Sequence, residues 1–135
     1  MRNMCASLSS CHNTNQVLPH VLSGPLAPEN VHAFAWSPNG YLAVGCYNRV
    51  MIIDSSDRLR LCQNLNKHRH SICRLQWCPD GSMRLLSGDT KGNLIVWNVQ
   101  SGQFLTLIMA HGKEERPLLD AKWINFSRTV GEKEV

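Results

Sequence analysis

The 135-residue sequence predicts an all-β fold of two four-stranded antiparallel units and the start of a third. Three observations carry that expectation. The chain repeats itself, since "NVHAFAWSPNGYLAVG" and "HSICRLQWCPDGSMRLLSG" superpose 41 residues apart. Val31, Phe34, Trp36, Pro38 and Gly40 then fall on Ile72, Leu75, Trp77, Pro79 and Gly81, and Leu118, Ala121 and Trp123 restart the pattern. Within a unit, apolar and polar residues alternate, as Cys73, Leu75 and Trp77 do with Arg74 and Gln76, which is the period of a half-buried strand. No stretch sustains a helical period.

The elements follow in order. In the first unit "NVHAFAW" leads into the turn Pro38-Asn39-Gly40. "YLAVGC" and "RVMIID" then make a compact hairpin around Tyr47-Asn48, and "LRLCQNL" supplies the outer strand. In the second, "CRLQW" ends at Pro79-Asp80-Gly81, where proline presets one backbone angle and glycine accepts the left-handed one. Arg84 to Gly88 is the next strand, Lys91-Gly92 turns the chain, and Leu94 to Val99 is apolar enough to be expected buried on both faces. Ser101-Gly102 turns into a fourth strand, "QFLTLIM". Four antiparallel strands in roughly 40 to 45 residues make one blade of a propeller.

The expected organisation is a flexible leader over 1–26, a partial propeller over 27–126 and a disordered tail over 127–135. The blades fall at about 29–66 and 67–110, with the start of a third at 111–126. Closure takes roughly four to eight blades. The chain is therefore expected to be a piece of a longer protein whose remaining blades are its first partners, and whose open edges, left bare, invite association.

Composition narrows the function classes. A hydrophobic fraction of 43% and a charged fraction of 18% suit a globular protein. The net charge of +4 is mild, and Arg58, Arg60, Lys67, Arg69 and Arg74 are not interleaved with aromatics, so nucleic-acid binding is not expected. No run approaches the roughly 18 apolar residues of a membrane helix. "MRNMCASLSSCHNTNQ" lacks the apolar core of a signal peptide, so a cytoplasmic chain with reduced cysteines is expected. The sequon Asn125-Phe126-Ser127 then has no role.

Four sharper possibilities fail, on spacing or because the repeat already explains them. His68, His70, Cys73 and Cys78 read H-x-H-x2-C-x4-C, which is not a structural zinc pattern. In "SGDTKGN" Lys91 precedes Gly92 and the exit is a strand, whereas a phosphate loop ends Gly-Lys-Ser/Thr and enters a helix. Ser87, His68 and Asp89 could be written as a triad, but the repeat explains all three. Asp54 and Asp57 share one short loop. No catalytic residue, metal or cofactor is expected; a binding scaffold is.

His68, "WCPDG" and "LLSGDTKGNLIVWN", with the spacing between them, resemble the WD-repeat family. The resemblance implies a partial WD-repeat β-propeller. It also implies a blade network of histidine, serine or threonine, aspartate and tryptophan. Here His68, Ser87 and Trp97 match three positions, while Lys91, six residues before Trp97, stands where the aspartate is expected. Lysine has no acceptor for the histidine proton, so an incomplete network is expected. In the first blade Ile53-Asp54 replaces Trp-Asp and Tyr47 holds the turn, so packing is expected to outweigh the polar network. Trp36, Trp77 and Trp123 are the expected repeat core.

Within the family a nearer likeness runs through "LSGPLAPEN", "AVGC", "VMIIDS", "LNKHRHSICRLQW" and "GNLIVWNVQSG", from about Leu22 to Ile124. It is to the N-terminal start of a large scaffold built from propellers. That likeness implies a non-enzymatic protein–protein interaction role in tethering vesicles at the trans-Golgi network and endosomes, with links to ciliogenesis and hedgehog signalling. Its implied partners are proteins of a trafficking complex. Its implied location is the cytoplasm, at the trans-Golgi network and cytoplasmic vesicles, with the cilium or nucleus as further places. Another WD-repeat platform, in ciliary transport or chromatin, and a basic nucleic-acid-binding module stay open as alternatives. Contacts are expected from loop positions Tyr47, Arg69 and Lys113 to Arg116.

Overall fold

The computed structural model describes residues 3–6, 20–23, 26–109 and 116–124. Two four-stranded antiparallel sheets carry the architecture. The first contains β3 (Phe34–Trp36), β4 (Tyr41–Cys46), β5 (Arg49–Asp54) and β6 (Arg60–Asn66), in that order across the sheet. The second contains β7 (Ile72–Trp77), β8 (Arg84–Asp89), β9 (Leu94–Asn98) and β10 (Gln103–Ile108), also in chain order. Two short strands, β1 (Asn3–Ala6) and β2 (His20–Ser23), pair antiparallel inside the span expected as leader. The tail 127–135 lies outside the described residues.

The turns set each sheet's geometry. Pro38 and Pro79 fix one angle, and Gly40 and Gly81 take the left-handed region at φ 84° and 76°. Ser37 Oγ accepts the amides of Asn39 and Tyr41 at 3.2 and 2.9 Å, and Asp80 Oδ1 accepts that of Ser82 at 2.8 Å. These local side-chain bonds satisfy turn amides that no strand reaches.

The core lies between the two sheets. Ala43, Val50, Ile52 and Leu65 from the first, with Ala33 ahead of β3, pack on Ile72, Leu75, Trp77, Leu85, Ile95, Trp97 and Val99 from the second. Burial of each large side chain in this set stabilises by about 1.5–3 kcal/mol. A smaller cluster of Leu42, Val44 and Ile53 occupies the other face of the first sheet.

One element is new to the sequence reading and two expectations are corrected. The segment before β3 is a 3-10 helix over Pro28–His32, because proline at its start and the Asn30 side chain bonding the Ala27 amide at 2.8 Å favour a turn over a ladder. β9 is not buried on both faces: Ile95 and Trp97 are buried, while Leu94, Val96 and Asn98 are half-buried. Trp36 does not belong to the core; it is 49% exposed against 6% for Trp77, and Trp123 is half-buried. Trp77 is covered because its Nε1–H donates to Ala35 O at 2.9 Å on the sheet before it. The described strands that precede the first sheet in sequence, β1 and β2, do not cover Trp36 in the same way.

Candidate functional site

The polar heart of the second blade is a chain of donors. The Trp97 indole can only donate, and its Nε1–H reaches Ser87 Oγ at 2.8 Å. The Ser87 hydroxyl proton is then free to donate to His68 Nε2 at 2.7 Å, which leaves Nδ1–H for Asp89 Oδ2 at 3.1 Å. His68, Ser87, Asp89 and Trp97 are all buried. Burial lowers the His68 pKa against the pull of Asp89, so the ring is neutral at pH 7, as this direction of bonds requires. Burial alone would raise the Asp89 pKa; hydrogen bonds from Asn93, His68 and Lys91 outweigh it and hold the carboxyl below its ordinary value.

Asp89 corrects the expectation of an incomplete network. The acceptor comes from two residues before Lys91, at the last position of β8. Asp89 Oδ1 accepts the backbone amides of Lys91 and Asn93, each at 2.9 Å, and this Asx-type turn leaves Oδ2 facing His68. Counting back from Trp97 pointed at Lys91; the signal missed was an aspartate placed to start a turn.

The first blade is tied by one residue that periodicity does not single out. Asn30 is 2% exposed. Its Oδ1 accepts the amides of Ala27 and Tyr47, both at 2.8 Å, and its Nδ2 donates to Tyr47 O at 3.1 Å and Ile72 O at 2.7 Å. All four bonds a carboxamide can make are filled. They hold the β4–β5 turn, where Tyr47 has φ 52°, against the first strand of the next blade.

The joint between units recurs. A side-chain carbon on Gly45 would stand 2.7 Å from Ala33 Cβ and 3.0 Å from Ile72 Cβ, so only glycine lets β7 approach. Gly88 likewise leaves room for the Leu118 side chain. The Ile72 amide donates to Tyr47 O at 2.7 Å, and the Leu118 amide to Asp89 O at 3.1 Å. Trp123 Nε1–H donates to Gln76 O at 3.1 Å, as Trp77 does to Ala35. Residues 116–124, although not in a strand, therefore dock where the start of a further blade is expected.

Chemically the arrangement is a lock. Ser87, His68 and Asp89 have the connectivity of a triad, but Ser87 is fully buried and its hydroxyl already holds the Trp97 N–H. Both His68 ring nitrogens are engaged, and the Cys73 thiol donates to Leu118 O at 3.4 Å, so these two of the four His/Cys residues are committed to the fold. Of the expected contact positions, Tyr47, Arg69 and Arg116 are exposed, and 113–115 lie outside the described residues.

Residues 59–98 match the family model described as WD domain, G-beta repeat. WD repeat-containing protein 11 of Mus musculus is 34% identical over 118 residues, which cover 81% of this chain and 9% of that protein. The Homo sapiens protein of the same name is 33% identical over the same coverage. The chain thus spans about a tenth of the length of these relatives. Among solved structures, a chain of "Crystal Structure of Mitotic Checkpoint Complex" matches 89% of this chain and 38% of its own length, with TM-score 0.65 and 19% identity. The β-propeller domain of Myceliophteria thermophila Cps50 (Swd1) matches 66% of this chain and 28% of its own length, with TM-score 0.54 and 21% identity. At those identities the structures show the fold, which is that of propeller blades.

Proposed function

We propose that this chain, which carries a WD repeat and is of the scaffold type, serves protein–protein interaction in tethering vesicles at the trans-Golgi network and endosomes. The reading extends to the links with ciliogenesis and hedgehog signalling, and to a cytoplasmic location at the trans-Golgi network and on vesicles. The observation that carries it is the likeness to WD repeat-containing protein 11 across most of the chain. Physical chemistry supports the scaffold part: the triad-like groups are internal and satisfied, so the surface available to partners is loops and edges positioned by packed sheets.

The test is proximity labelling in cells with the full-length gene product, read by mass spectrometry and paired with imaging of its location. Enrichment of vesicle-tethering subunits with a trans-Golgi signal is the expected result. Enrichment of chromatin or ribosomal proteins instead would overturn the tethering role.

A further inference from the structure

We propose that the outer edge of the first blade accepts a strand: an extended peptide with an acidic residue beside apolar ones adds to β6 in the groove between the blades. Among the described strands β6 pairs with β5 alone, so its other edge offers backbone N–H and C=O groups with no described strand beside them. Such groups are a ready template for another chain.

Position along the strand supports addition at one end. The β5–β6 register carries its irregularity at Ile52/Ile53, whereas Arg49, Val50 and Met51 face Asn66, Leu65 and Asn64 without a break. The regular end adjoins a groove of about 510 Å³ lined by Asn64, Asn66, Lys67, Trp97, Gly102, Gln103 and Phe104. Asn64 and Asn66 line it while Leu65 between them is in the core, and alternate residues are the ones that turn both backbone groups to the same edge. β6 also lacks the usual protection, having no proline and no charge after Arg60.

The groove walls say what the peptide carries. Lys67 Nζ lies 4.9 Å from the centroid of the Phe104 ring, and both residues are exposed. Among the described residues no carboxylate lines the groove. A carboxylate on the incoming strand meets this ammonium, and an apolar neighbour lies on the ring. This deepens the scaffold reading and rests on it only in requiring a protein partner. Loss of peptide binding leaves a tethering interactome in place, and the converse also holds, so the two can fail separately.

The probe is a fluorescein-labelled heptapeptide of alternating leucine and glutamate, titrated against the 135-residue chain by anisotropy. Two control peptides carry lysine for glutamate, or N-methyl groups on alternate backbone amides. Expected are saturable binding of the glutamate peptide, its loss on N-methylation, and a weakening of about tenfold in Lys67→Glu with a gain for the lysine peptide. Lys67→Gln, which keeps the stem over Phe104, gives an intermediate loss. Equal binding of the N-methylated peptide, or no saturable binding of any peptide, would overturn the proposal. So would sedimentation showing a dimer that Lys67→Glu dissolves, because the edge would then belong to a second copy.

Discussion

The two blades solve one problem with different chemistry. Each must hold its central hairpin against its entry segment. The second uses four side chains from three places in its sequence, His68, Ser87, Asp89 and Trp97. The first uses one carboxamide, Asn30, that bonds only backbone. Two members of the second lock titrate, and the first lock has no titratable group. The difference teaches that a repeat conserves the need for a satisfied buried polar tie more firmly than the residues that supply it.

Breaking the first lock gives the largest effect. Asn30→Asp sets a carboxylate against Tyr47 O and Ile72 O, where Nδ2 now donates, and a loss of about 4 kcal/mol in urea unfolding is expected. Asp89→Ala in the second blade is expected to lose about 3 kcal/mol by the same measurement. It frees His68 Nδ1–H and the Lys91 and Asn93 amides together. The glycine joints separate the regions further. Gly45→Ala meets Ala33 and Ile72 close to their backbones and should cost about 2 kcal/mol. Gly88→Ala meets chiefly the terminal Cδ2 of the Leu118 side chain, which can turn aside, and should cost less, about 1 kcal/mol.

The smallest expected effect is that of mild acid. Burial lowers the His68 pKa, so below its ordinary 6.5 the unfolded chain takes the proton first. The stability His68 contributes is complete above that value and falls as pH drops toward its folded pKa. Asp89, held below its ordinary 3.8, contributes stability that is complete above 3.8 and is lost as pH falls through its folded pKa. Both changes weaken the second lock in acid. The expected result is a urea midpoint that declines from about pH 6.5 downward in the wild type and declines less in His68→Asn.

Much of the fold was legible because strand alternation and proline–glycine turns are local signals. The β4–β5 and β8–β9 hairpins lie where those signals put them. What escaped depends on contacts distant in sequence or on the direction of a side chain. Trp36 shares its pattern with Trp77, yet burial is set by what precedes each in the stack, which the pattern does not contain. Asn30 reads as one more polar loop residue, since its partners lie 17 and 42 positions away. Asp89 was visible as a residue but not as the acceptor, because fixed spacing from Trp97 ignores which turn the chain takes.

The most direct test of the difference between the locks is residue-resolved amide hydrogen exchange followed from pH 7.5 to 5, expressed as opening free energies. Amides in β8 and β9 should lose protection as pH falls below about 6.5, while those in β4 and β5 keep theirs. A parallel loss in both blades, or none in either, would contradict a titratable lock confined to the second.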